Sequence, residues 1–242
     1  MIYELINGGT HGNDVALYKC YVNGFSNNYY IKASFSDLGN QVIENEHKGY
    51  QWYQKAVNKS SIVQFMGKYF FEIHIPEFEG KKYPYNAIIE NNEMAIEKLI
   101  AHYRSHWLHA DQFCIHGDFA LCNAIFQDIK EINIIDWEHF HLADREYFGF
   151  DVINMIFIAL AWQHKNLNHI QSKTKQFLKK CYRTLIQDVP SSNLILEKPF
   201  QESNRYLKKN AINFGMSIDI ADKFVLARYT DNDLQKLDAM VT

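Results

Sequence analysis

The sequence lacks cysteines in the spacing that metal or redox chemistry uses. Cys20, Cys114, Cys122 and Cys181 are scattered, and no two form a CxxC pair. A zinc knuckle and a dithiol redox motif are therefore not suggested, and a reduced, cytoplasmic protein is expected. A long apolar run is missing too. The longest, Val152 to Trp162, is interrupted by Asn154. It is also shorter than the roughly 20 residues that a bilayer crossing needs, so it reads as a buried helix. The opening Met1-Ile2-Tyr3-Glu4-Leu5 lacks the basic-then-apolar pattern of a secretory signal. Stable membrane insertion is not expected.

Nor is there a surplus of one charge. The formal net charge is -3, so no global basic field exists and nucleic acid is not an expected partner. The local basic stretch 173–180 reads as one solvated helix face. Internal repeats, low-complexity tracts and long linkers are also missing. What is present is ordinary globular composition. With 242 residues and 47% hydrophobic content, the chain can bury a sizeable core in one large domain or two lobes.

The first third reads as strands. Val15 to Val22 is rich in β-formers, Asn23-Gly24 is a turn signal, and Tyr29 to Ala33 follows. Ahead of them, Asn7-Gly8-Gly9-Thr10-His11-Gly12-Asn13-Asp14 is dense in turn formers and reads as a glycine-rich loop between strands. Ser36 or Asp37 caps a predicted helix that runs to about Ala56, with Val42, Glu46, Tyr50 and Tyr53 near one face. Strands are predicted around Ile62–Met66 and Tyr69–Ile75. Pro76-Glu77-Phe78-Glu79-Gly80 then breaks the pattern and is the candidate hinge.

The remainder reads as mostly helical. Met94, Leu99, Tyr103 and Trp107 trace an apolar stripe on a helix from about Asn91 to His109. Further helices are predicted near Val152–His164, Ile170–Asp188, Phe200–Phe214 and Ile218–Tyr229. The expected class is α+β: residues 1–79 form an antiparallel sheet with one helix, and residues 80–242 form a mostly helical lobe.

The informative segment is Cys114-Ile115-His116-Gly117-Asp118-Phe119-Ala120-Leu121-Cys122-Asn123, followed downstream by Ile134-Ile135-Asp136-Trp137-Glu138. Apolar residues flank the polar ones. That pattern places Asp118, Asn123 and Asp136 at the ends of short buried strands or in the loop between them. Such an oxygen set suits phosphoryl transfer, which rests on positioning and on electrostatic stabilisation around magnesium. Magnesium takes hard oxygen ligands, and a carboxylate beside an acceptor hydroxyl can take its proton. Asp118 and Asn123 keep the D-x-x-x-x-N spacing of a kinase catalytic loop.

These two segments resemble the catalytic region of the aminoglycoside phosphotransferase and choline kinase superfamily, whose signature is H-G-D-x-x-x-x-N followed by an I-D-W/F-E strand end. Their wording is most similar to phosphotransferases of bacterial polysaccharide gene clusters. The close match runs from Cys114 to Phe157. The resemblance implies a bilobal protein-kinase-like fold using ATP and Mg2+. It implies Asp118 as the catalytic carboxylate and Asn123 and Asp136 as magnesium ligands. It also implies His116 and Asp151 as structural supports. Lys32 would contact the nucleotide phosphates, with Glu46 as its ion-pair partner and Glu44 as the competing choice. Gly9 and Gly12 would belong to the phosphate loop, although Gly8-Gly9-Thr10-His11-Gly12 does not reproduce G-x-G-x-x-G spacing.

The implied partner is a small-molecule hydroxyl acceptor, with a sugar or glycan precursor favoured over choline, ethanolamine or an aminoglycoside. Two other classes stand beside it. One is a catalytically silent kinase fold that binds nucleotide or a partner protein. The other is a metal-dependent hydrolase using His116, Asp118 and Asp136. The sequence leaves the acceptor, the base preference and the oligomeric state open.

Overall fold

The structure, a computed structural model, describes residues 2–8, 14–21, 28–57, 59, 63–84, 92–127 and 131–163, together with 177, 180–181, 183–187, 198–199, 202–203 and 205. Gly9 and Gly12 lie outside the described residues, as do the turn at Asn23-Gly24 and the helix expected from Ile218 to Tyr229. The described residues form two compact units. The first takes Met1–Lys82, Cys114–Asp118 and Asn123–Leu142, and the second takes Tyr83–Phe113, Phe119–Cys122 and Ala143–Thr242.

In the first unit, β1 (Ile2–Gly8), β2 (Val15–Tyr21) and β3 (Tyr29–Ser34) lead into α1 (Asp37–Ala56), and β4 (Gln64–Met66) and β5 (Glu72–Pro76) follow. The five strands make one sheet in the order β1-β2-β3-β5-β4, and every neighbouring pair is antiparallel. Helix α1 begins where the sequence places it. Ser36 is the N-cap, and its hydroxyl accepts the Gly39 N–H at 3.1 Å, filling one of the donors that a helix start leaves open. Its buried face carries Ile43, Glu46, Gly49, Tyr50 and Tyr53.

The strands after α1 are shorter than expected. Residues 67–71 form the turn between β4 and β5, where Tyr69 and Phe70 are exposed. Their aromatic content reads as strand, but the Ser34 and Asn40 side chains bind this turn instead. Asn40 Nδ2 donates to the Tyr69 carbonyl at 2.8 Å, and the Phe71 N–H donates to Asn40 Oδ1 at 2.8 Å. Local side-chain bonds here replace ladder bonds.

Two small sheets complete the first unit. Strands β6 (Lys81–Lys82), β8 (Ala124–Phe126) and β9 (Ile132–Ile134) pair in the order β6-β8-β9. Strands β7 (Cys114–Ile115) and β10 (His141–Leu142) pair antiparallel, with Ile115 opposite His141.

The second unit contains α2 (Glu93–Trp107) and α3 (Phe150–Gln163). The apolar stripe of α2 is buried at Ile96, Leu99, Ile100, Tyr103 and Trp107. Tyr103 stacks on Trp107 with ring centroids 4.7 Å apart, and Phe119 meets both rings edge-on. The Phe119 of the His-Gly-Asp-Phe run is therefore a core residue of this unit. Asp151 is buried in the first turn of α3. Among the described residues, no helix is long and apolar enough to cross a membrane. The class is α+β. The antiparallel sheet with one helix inserted between its third and fourth strands is kinase-like, as expected.

Candidate active site

Lys32 lies on β3, between Leu17 of β2 and Ile73 of β5 in the sheet register. Glu46 sits on the buried face of α1. The Lys32 ammonium lies 2.7 Å from Glu46 Oε2 and also binds Asp136 Oδ1. Burial works against the charged ammonium, but Glu46 and Asp136 more than reverse this and hold its pKa well above the ordinary lysine value. Burial pushes the Glu46 carboxyl up to about 7 against the opposing pull of Lys32. Glu44, the competing partner, points elsewhere. It pairs with Lys48 one helical turn on, at 2.9 Å, in an exposed contact. The helical period decides between the two glutamates, because Glu46 shares a face with Tyr50 and Tyr53.

Asp118 follows β7, Asn123 ends a single 3₁₀ turn (Leu121–Asn123), and Asp136 follows β9. These three positions interlock. Asn123 Nδ2 donates to the Asp118 carbonyl at 2.8 Å and to its carboxylate at 2.9 Å. The Ile135 N–H donates to the Asn123 carbonyl at 2.9 Å. His116 is fully buried, and it joins the two halves of the motif. Its Nε2 donates to the Ile135 carbonyl at 3.1 Å, while its Nδ1 accepts the Asp118 N–H at 3.2 Å. That tautomer requires a neutral ring. Burial supplies the condition by pushing the His116 pKa down to about 4.

The glycine of the motif has two reasons to be there. Gly117 has φ +86°, a region that side chains avoid, and a Cβ on it would come within 2.6 Å of the His139 Cβ. The backbone at Asp136 is also special. Its φ of 68° is the one positive value at a non-glycine residue among the described residues. Aspartate tolerates this region better than most residues, and held strain of this kind clusters at functional positions.

The electrostatics of the two carboxylates diverge. Burial raises the Asp118 pKa, and the negative charge of Asp136 raises it further, while the Asn123 hydrogen bond pulls the other way. Burial would also raise Asp136, but the charge and hydrogen bond of Lys32 outweigh it and leave its carboxyl below the ordinary value. One carboxylate is thus made more basic beside one held firmly ionised. The oxygen set suits magnesium. The amide nitrogen of Asn123 is spent on Asp118, which leaves its oxygen for a cation, and Asp136 supplies a hard carboxylate.

Helix α1 is fastened to this loop along its length. Asn45 Nδ2 donates to the Glu138 carbonyl at 2.7 Å, and the Tyr53 hydroxyl donates to the Ile132 carbonyl at 2.8 Å. The Tyr50 hydroxyl lies 3.4 Å from the Asp136 N–H. Between them, Gly49 passes so close to Trp137 that a Cβ would meet the Trp137 Cβ at 2.5 Å. Trp137 is fully buried, lies 4.4 Å from the His116 ring between centroids, and donates from Nε1 to the Ile134 carbonyl at 3.1 Å. It is a packing residue. Asn45 and Gly49 escape a sequence reading because neither belongs to an apolar stripe.

The structure therefore brings Lys32, Glu46, His116, Asp118, Asn123 and Asp136 together within the first unit. Asp151 belongs to the second unit. No protein-family model matches the chain, and no curated protein does. Among solved structures, the chain is similar to the Cydia pomonella Granulovirus kinase, PK-1, at 14% identity and a TM-score of 0.45, over 99% of this chain and 93% of that one. A likeness at that score adds nothing to the fold assignment, which rests on the strand order, the inserted helix and the Lys32–Glu46 pair.

Proposed function

We propose that the protein is an ATP-dependent phosphotransferase that moves the γ-phosphoryl group to a hydroxyl of a small molecule. The observation that carries this reading is Lys32 bridging Glu46 and Asp136, with Asp118 held by Asn123 in the same unit. This is the lysine–glutamate–aspartate arrangement that kinases use around a triphosphate. A metal-dependent hydrolase has no use for such a lysine.

In the proposed mechanism Lys32 contacts the nucleotide phosphates, and Glu46 fixes its position. Asn123 and Asp136 are the residues that would hold Mg2+, which when bound offsets the charge of the phosphates. Asp118 orients the acceptor hydroxyl and takes its proton as the new P–O bond forms and the bond from the γ-phosphorus to the departing ADP breaks. Its raised pKa suits that task, because a base closer to neutrality accepts a proton more readily. Asp136, held ionised, suits a metal ligand.

A small acceptor is favoured over a protein by the stretch between Asp136 and α3. Residues 137–149 hold only Trp137, a turn, β10 and one 3₁₀ turn (Arg145–Tyr147). There is no room for the long phosphorylated activation loop of protein kinases. Within small acceptors, the resemblance of the His-Gly-Asp-Phe and Ile-Asp-Trp-Glu runs to polysaccharide-cluster phosphotransferases of the aminoglycoside phosphotransferase and choline kinase superfamily favours a sugar or glycan precursor. A cytoplasmic location goes with ATP as donor.

The test is a screen of sugars, amino alcohols and aminoglycosides for acceptor-dependent ADP release. A sugar acceptor is expected. Phosphorylation of a protein substrate alone would overturn the choice of acceptor. ATP hydrolysis equal in the wild type and in Lys32→Ala would overturn the kinase reading itself.

A further inference from the structure

Strand β1 is an edge of the five-stranded sheet, and no strand covers its outer side among the described residues. An edge strand presents a row of backbone donors and acceptors to any strand that can reach it, and proteins usually blunt such edges with lysine, proline or shortness. The opposite edge, β4, is blunted by having three residues. Strand β1 has seven, and its Ile2-Tyr3-Glu4-Leu5-Ile6 run contains neither lysine nor proline. Ile2, Tyr3, Leu5 and Ile6 are 60%, 56%, 58% and 49% exposed. Successive strand residues face opposite sides, so both faces of this edge are apolar.

The run is also symmetric about Glu4. Reversed and laid against itself, it places Ile2 opposite Ile6, Tyr3 opposite Leu5, and Glu4 opposite Glu4. We propose that β1 pairs antiparallel with β1 of a second copy of this chain about a twofold axis at Glu4, joining the two five-stranded sheets into one. Such an isologous contact uses the same segment on both copies and closes at two. Two Tyr3–Leu5 pairs form in regular strand, two Ile2–Ile6 contacts close the bulged ends, and the mismatch is the single Glu4–Glu4 pair. The Glu4 carboxylate is drawn back onto its own chain by the Tyr21 hydroxyl, which donates to it at 2.5 Å. The register slip between Leu5 and Asn7 makes Ile6 the bulged residue, so the regular ladder between the copies runs from Tyr3 to Leu5 and the strand bends at its end.

The test is sedimentation equilibrium of the full chain across micromolar concentrations, with far-UV circular dichroism as the check on folding. The wild type is expected to dimerise reversibly. Leu5→Lys puts two lysines into each interface and is expected to weaken the dimer by about an order of magnitude. Glu4→Gln removes the opposed charges and is expected to tighten it by about two- to fivefold. A wild type that stays monomeric throughout overturns the proposal, whatever else this edge binds. So does a dimer that Glu4→Gln leaves unchanged or weakens, which would mean a different interface.

Discussion

The side-chain amide of Asn123 donates to Asp118 twice, to its carbonyl at 2.8 Å and to its carboxylate at 2.9 Å. The second bond favours the ionised carboxylate and so opposes the upward push of burial and of Asp136. In the proposed mechanism Asp118 acts unprotonated, so turnover is expected to fall as pH drops through its pKa. Loss of the bond in Asn123→Ala raises that pKa further. The acid limb of kcat/KM is expected to move to higher pH, with turnover about a hundredfold lower at the optimum. A limb that stays in place would separate Asn123 from the charge state of Asp118.

Glu46 and Glu44 lie two residues apart on α1 and should answer differently to the same substitution. Glu46→Gln removes the charge that fixes Lys32, so the apparent affinity for ATP is expected to fall markedly. Glu44→Gln breaks only an exposed contact with Lys48 and is expected to change stability by less than about 0.5 kcal/mol and ATP affinity not at all. Titration of both variants with a fluorescent nucleotide compares them directly.

Gly49 has no room for a side chain above Trp137. Gly49→Ala must push α1 away from the loop that carries Asp136, and overpacking of this kind costs about 1–3 kcal/mol. A lower Tm together with a higher KM for ATP is expected. A variant as stable as the wild type would show that the helix can shift freely on Trp137.

His116 should make stability depend on pH. Its folded pKa of about 4 lies below the value of 6.5 for an unperturbed histidine. The unfolded chain therefore binds the extra proton first. The stabilising contribution is full above about pH 6.5 and is lost as pH falls toward about 4. The difference amounts to about 3 kcal/mol, from about 1.4 kcal/mol per pKa unit. Denaturant melts of the wild type and His116→Gln across that window should show the wild type losing stability relative to the variant as the solution is acidified.

Much of the site was legible because its geometry follows chemical spacing. Asp118 and Asn123 are five residues apart with a 3₁₀ turn ending at Asn123, and that is near enough for the amide to reach back to the carboxylate. The helical period selected Glu46 over Glu44, and Ser36 marked the start of α1 through its capping chemistry. Other features depend on partners distant in sequence. The turn at 67–71 is aromatic and reads as strand, yet Ser34 and Asn40, some thirty residues earlier, claim its backbone. Strands β6, β8 and β10 have two or three residues each, too few to show a period. The need for glycine at positions 49 and 117 comes from Trp137 and His139, which no local pattern announces.

Transfer of the γ-phosphate of ATP, followed as Mg2+ is added in the wild type and in Asp118→Ala, decides whether Asp118 serves a magnesium-dependent phosphotransferase. Turnover in the wild type is expected to require Mg2+. The variant is expected to lose about 10²- to 10⁴-fold, with ATP still bound. Turnover that proceeds without a divalent cation, or that survives intact in Asp118→Ala, would contradict this role.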